Sequence, residues 1–407
     1  MSLCFCRQAA WVVRPVAAVL PPRPSRACRQ GKLEGMSKSD KTYMLEETIA
    51  LATAARGRIG CPEVGFGDEG IVDYVTLDLG GDRTVMCFEL KITRSDFLSD
   101  AKKTFVGDLN YYVIPTSLWN SVRAHIEPGV GCWCVDDRGQ ATCMLEARRR
   151  ECSLDRAYVA RKLIFCLRRE HRKHDRQEWD ERFSKRGKMG AHALRECFPA
   201  VMDQATDRRG RYGAAGVRLP GSDARSGFAT VDMTGKGYVR CYQFKGDADE
   251  LAEGPSGLAG DFNFYVIPLS LWGRAREETP RWIGIWCLDE QGRAIRKRAA
   301  KHVTSPASRA GAAAAIALAL DRERLADAEE SWRGRQYSLP VLDRGHSEVG
   351  VGDRVRYGGG TWVVRRMEHE REGTILVPML VLESERYAGA TERVAPRSVR
   401  KVVGDGN

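Results

Sequence analysis

No stretch of the 407 residues is long and apolar enough to span a bilayer, so no membrane partner is expected. Thirteen cysteines are present, yet no CxxC pair occurs among them. That spacing fits neither a zinc ribbon nor a disulfide framework, and reduced core cysteines are expected. Cys132 and Cys134, with Cys143 and Cys152 downstream, come closest to a metal cluster. His171 and His174 stand at i, i+3, but no third ligand accompanies them. Disorder is excluded for the bulk of the chain, because 43% of it is hydrophobic. What the chain has in excess is positive charge. The formal net charge of +11 points to a polyanionic partner, nucleic acid before membrane.

The chain repeats itself. ATAARGRIG (52–60) returns as ATDRRGRYG (205–213), and LNYYVIPTSLW (109–119) as FNFYVIPLSLW (262–272). GCWCVDDRGQA (131–141) returns as GIWCLDEQGRA (284–294), and RAYVARKLIFCLRRE (156–170) as RAGAAAAIALALDRE (309–323), all at an offset of 153. A register held over that distance implies two copies of one domain. The division expected is a disordered basic extension over 1–36, with Met36 as the functional start. A first copy over 37–175 follows, then a basic linker over 176–192 and a second copy over 193–327. A polar linker over 328–348 leads to a small all-β unit over 349–403, whose short strands split by glycine and charge predict an SH3-like barrel.

Within the first copy, apolar spacing predicts a helix over 42–56. The β-branched runs 71–79 and 84–92, parted by Gly80-Gly81-Asp82, predict a hairpin. A helix is expected over 95–104, strands over 110–114 and 131–136, and a closing helix over 153–170. This order predicts an α/β sandwich. Trp119, Trp133, Trp272 and Trp286 recur in register and are read as packing residues.

The chemistry concentrates in TVMCFELKI (84–92). Strand alternation puts Val85, Cys87, Glu89 and Lys91 on one face, and Met86, Phe88, Leu90 and Ile92 on the other. A Glu and a Lys inside so apolar a strand need a partner, because buried charge is costly unless paired or bound to metal. Asp73, on the preceding strand, can be brought beside Glu89 by the hairpin. Two adjacent carboxylates call for a cation, and Mg²⁺ (or Mn²⁺) suits an all-oxygen site. Farther along, Ser95 can cap the helix with Asp96 in its first turn, and Asp100 can pair with Lys103.

Asp73 followed by Glu89-Leu90-Lys91 resembles the PD-(D/E)XK nuclease superfamily, over about 42–150. Val72 stands where the motif's name has proline. ELKITRSDFLSDAKK is similar to the motif of the MmcB-like DNA-repair branch, through Asp96, Phe97, Asp100 and Lys102, followed by NYYVIP. The resemblance implies tandem restriction-endonuclease-like sandwiches, DNA as ligand and metal-assisted phosphodiester hydrolysis. It implies Asp73, Glu89 and the Leu90 carbonyl as metal ligands, Lys91 as the catalytic cation and Glu47 as a further ligand from the first helix. Ser95, Asp96, Asp100 and Lys102 would support the site. The alternative function is a non-catalytic DNA-binding repair or accessory protein with a vestigial nuclease fold.

The second copy is degenerate over about 197–304. There Gly227 stands for Asp73, Gln243 for Glu89, Ala200 for Glu47 and Gly254 for Asp100, while Lys245 keeps the place of Lys91. Its expected role is an internal pseudo-dimer partner. On the closing helix of the first copy, Arg161, Lys162, Arg168 and Arg169 are expected to contact DNA phosphates. Contact with protein or nucleic acid is expected of the C-terminal unit, and bacterial or phage-encoded cytoplasmic protein is the expected setting.

Overall fold

The computed structural model describes residues 39–99, 103–182, 187–207, 210–234, 236–338, 344, 347–372, 375–387 and 389–402. The extension expected over 1–36 lies outside the described residues, as do Asp100 and Lys102. The protein is mixed α/β, and no described helix is long and apolar enough to cross a membrane.

The first copy opens with α1 (Asp40–Thr53), capped by the Ser39 hydroxyl on the Thr42 N–H. Strands β1 (Arg58–Gly65), β2 (Ile71–Asp78) and β3 (Val85–Leu90) form an antiparallel meander. The one-turn helix α2 (Arg94–Phe97) leads to β4 (Leu109–Pro115), parallel to β3. After α3 (Trp119–Val122), β5 (Gly131–Val135) lies parallel to β4, and β6 (Ala141–Leu145) turns back antiparallel. The long helix α4 (Arg156–Arg182) closes the copy. The helix expected over 95–104 is therefore a single turn. Its cap is Thr93, whose hydroxyl accepts the Asp96 N–H at 3.1 Å; Ser95, expected to cap it, instead hydrogen-bonds Thr93 side chain to side chain.

The second copy repeats this with α5 (Ala191–Ala205), β7 (Arg211–Val217), β8 (Ser226–Asp232), β9 (Val239–Phe244), α6 (Ala248–Ala252), β10 (Phe262–Pro268), α7 (Trp272–Glu278), β11 (Gly284–Leu288), β12 (Ala294–Arg298) and α8 (Arg309–Ser338). Each sheet has six strands in chain order, with the same sequence of antiparallel and parallel pairs. Even the register shift recurs, at Cys132/Trp133 and at Ile285/Trp286. Tyr74 faces Phe88 as Phe228 faces Tyr242, which aligns Asp73 with Gly227 and Glu89 with Gln243.

The copies share one core. Ile59, Cys61 and Val64 of β1, with Leu163 and Leu167 of α4, pack in one buried cluster with Ala214 and Val217 of β7 and Ile316 and Leu320 of α8. Polar ties cross the same boundary. From α8, Asp321 accepts the Gly60 N–H at 3.1 Å and Arg324 donates to the Tyr74 hydroxyl at 2.9 Å. Farther along α8, Trp332 donates to the Gly139 carbonyl at 3.2 Å. Residues 328–338, expected as linker, are thus helix laid against the first copy. Likewise α4 continues through Arg182, into the stretch expected as a basic linker. His171 of α4 lies 3.1 Å from Glu323 of α8.

The C-terminal unit is an antiparallel sheet of β13 (Arg354–Tyr357), β14 (Gly360–Glu372), β15 (Ile375–Ser384), β16 (Thr391–Val394) and β17 (Arg400–Lys401), in the order β16-β15-β14-β13-β17. Val349, Val355, Val364, Leu380, Leu382 and Val394 form its core. Among the described residues its end strands, β16 and β17, do not pair with each other.

Candidate active site

The hairpin brings Asp73 to the end of β3 beside Glu89, whose strand alternates between the two faces of the sheet. Val85 and Cys87 enter the core shared with α4, whereas Met86, Phe88 and Leu90 pack under α1 with Leu45 and Ile49. Glu89 and Lys91 are buried on the α4 side of the sheet, with relative exposures of 4% and 8%. One oxygen of each carboxylate is fixed by a backbone N–H: Asp73 Oδ2 by Leu90 at 2.8 Å, and Glu89 Oε1 by Thr104 at 3.2 Å. Glu89 Oε2 lies 4.0 Å from the Lys91 ammonium, which is also 3.6 Å from Asp96 Oδ1.

Burial, then the charge of Asp73, push the Glu89 carboxyl up to about 7, and Glu89 and Asp73 hydrogen-bond to each other. Two carboxylates placed so cannot both ionise cheaply unless a cation lies between them. The N–H and C=O of one strand residue point the same way, so the Leu90 carbonyl is directed to the side on which Asp73 accepts its N–H. Among the described residues no three His, Cys, Asp or Glu side chains gather as a metal cage. Mg²⁺ does not require one, since it is held by one or two carboxylates, other oxygens and several waters. The residues present fit that ion.

A pH dependence follows. A Glu89 carboxyl raised from about 4.5 to about 7 holds its proton more tightly folded than unfolded. That contribution to stability is complete below about 4.5 and is lost as pH rises through about 7. Metal-free protein should therefore lose on the order of 1–3 kcal/mol across that window, and Glu89→Gln should remove most of the slope. Urea denaturation in EDTA at several pH values measures it, and equal slopes for both proteins would refute the assignment.

Other expected site residues are placed differently. Glu47 is two residues from both Leu45 and Ile49, about 200° around the helix from the face they bury. It points to α8, where the Ser331 hydroxyl donates to its carboxylate at 3.2 Å. Arg168 is not a phosphate contact. It is buried, donating to Asp203 at 3.3 Å, to Asp207 at 3.0 Å and to the Arg211 carbonyl of the second copy. Arg161 is exposed, and Lys162 and Arg169 are partly so.

Two features of the site have no signal in the sequence. Thr104 orients Glu89 through its N–H while its hydroxyl donates to the Glu69 carbonyl at 3.3 Å. Beside Glu89 in the next strand, Tyr112 donates to Glu127 at 2.9 Å, and Lys103 holds the same carboxylate at 3.0 Å. In the second copy Gln243 is tied to Ser256, and Lys245 lies 3.6 Å from Glu253. A Cβ at Gly227 would meet the Phe198 ring at 2.9 Å, so the place of the Asp73 side chain is taken by α5.

No family model matches the chain, and no curated protein matches it. Among solved structures, a protein of unknown function from Silicibacter pomeroyi is similar over 35% of this chain and 91% of its own, at 19% identity and a TM-score of 0.27. A likeness that slight carries no argument about function.

Proposed function

We propose that the first copy is a metal-dependent endonuclease of the PD-(D/E)XK type that hydrolyses DNA phosphodiesters. The observation that carries this reading is the half-buried Asp73 beside the buried Glu89, with the Lys91 ammonium 4.0 Å from Glu89. In this reading Asp73, Glu89 and the Leu90 carbonyl hold Mg²⁺ or Mn²⁺. When bound, the ion supplies Lewis acidity at the phosphoryl oxygen and makes a water more acidic. The backbone N–H groups of Leu90 and Thr104 keep the carboxylates oriented. Lys91, steadied by Asp96, offsets negative charge that develops at phosphorus. The resemblance to the MmcB-like branch supports a role in DNA repair.

The same proposal takes both copies as restriction-endonuclease-like sandwiches, the second being an inactive pseudo-dimer partner. The C-terminal sheet is then an SH3-like unit contacting nucleic acid or protein, and the setting is cytoplasmic. The test is purified full-length protein on plasmid and single-stranded DNA with Mg²⁺ or Mn²⁺. Cleavage that EDTA abolishes is expected. Salt-sensitive DNA binding without cleavage would replace this reading with the non-catalytic DNA-binding one.

A further inference from the structure

The metal centre leaves one face of α4 unexplained. Phe165 is 54% exposed on a helix whose Val159, Leu163, Ile164 and Leu167 are buried in the shared core. Nor does it stand alone. Tyr158, Lys162, Phe165 and Arg169 fall at i, i+4, i+7 and i+11, which is a single stripe on a helix. Exposed Arg161 sits beside it, one turn before Phe165. The stripe alternates ring and cation. Lys162 already lies over the Tyr158 ring, 5.4 Å from its centroid. Arg169 bonds the neighbouring Glu170 carboxylate at 2.9 Å and the Glu63 carbonyl at 3.4 Å.

Those contacts fix where the stripe runs. Tyr158 packs against Phe66 at the end of β1, with ring centroids 6.2 Å apart, while Arg169 reaches Glu63 within β1. The stripe therefore follows edge strand β1, on the side of the sheet to which Glu89 belongs. Glu63 falls between the pairs Pro62–Tyr74 and Val64–Val72, directly across from Asp73.

The second copy again serves as a control. Its equivalents are Gly311, Ala315, Leu318 and Arg322, so both rings and one cation are gone from the copy that also lacks the two carboxylates. In the second copy Ala315 and Leu318 are half-buried against the shared core, so that face does not offer ring and cation to solvent as the first copy's does. Cations hold phosphates of any nucleic acid, but exposed rings are useful only where bases are unstacked and offer a face.

We propose that this stripe binds a single strand of DNA, with a base stacked on Phe165 and phosphates on Arg161, Lys162 and Arg169, and leads it along β1 to the metal centre. The delivery rests on the nuclease reading, whereas the binding does not. Anisotropy of a labelled oligothymidine and of a duplex, with full-length protein in EDTA, tests it. Phe165→Ala should weaken oligothymidine binding about tenfold and duplex binding less than about twofold, with Phe165→Trp restoring it. Lys162→Ala should lower the slope of log affinity against log salt by about 0.7. Unchanged oligothymidine affinity in Phe165→Ala, at an unchanged melting temperature, would overturn the proposal. So would equal losses for single strand and duplex. Metal-dependent cleavage indifferent to Phe165 would reject the stripe and leave the nuclease standing. Phe165-dependent binding without any cleavage would reject the nuclease and leave the stripe.

Discussion

On the nuclease reading proposed above, Glu89→Gln and Lys91→Met should damage cleavage in different ways. Glutamine at 89 removes a charged ligand while keeping the hydrogen-bond geometry that Thr104 imposes. The metal requirement should rise on the order of a hundredfold or more, since even groups that only orient a ligand are worth ten- to a hundredfold. Methionine at 91 takes a positive charge from beside the carboxylates, so metal should bind as tightly or slightly more so. Yet the rate at saturating metal should fall by about 10²–10³, as when one preorganised electrostatic group is removed. Calorimetric titration with Mn²⁺, alongside cleavage rates, separates the two. The same loss of metal affinity in both variants would mean that Lys91 shapes the site rather than serves the reaction.

The second large effect lies between the copies. Arg324 of α8 donates to the Tyr74 hydroxyl and to Asp321, and Asp321 in turn holds the Gly60 N–H. Asp321 is only 4% exposed. Arg324→Ala leaves that carboxylate buried without its guanidinium, a change that costs about 3–5 kcal/mol where a buried pair loses one member. Replacing both residues, as Asp321→Asn with Arg324→Met, should recover much of the loss, because no bare charge remains. Urea midpoints report both, and equal destabilisation by the single and double variants would show that the charge pairing is not the cause. Tyr74 adjoins Asp73, so the single variant should also disturb the Asp73–Glu89 site more than a surface substitution does.

Legibility in the sequence followed the range of the interactions. The β2–β3 hairpin could be read because strand alternation is local, and Glu89-Leu90-Lys91 interrupts an otherwise apolar run. Strand β1 escaped because it carries Gly60 and Pro62, and proline is tolerated there only because β1 lies at a sheet edge. Strand β6 escaped because it is another edge, with three of its five residues exposed. The burial of Arg168 left no trace near position 168, since its partners Asp203 and Asp207 come from α5 and the turn after it. At the same offset Arg168 corresponds to Asp321. Two identical chains could not present opposite charges at one position; a fused pair can, and here each copy is marked for its own place.

The reach of α8 also imposes an order on synthesis. The sheet of the first copy is complete in the chain at Leu145, but the helix that covers its β1 and α1 begins only at Arg309. At ordinary elongation rates that interval lasts on the order of ten to thirty seconds. For that time the nascent first copy carries a bare flank and Gly60, Tyr74 and Gly139 lack the α8 groups that later bond them. The first copy, though made before the second, is therefore finished only together with it.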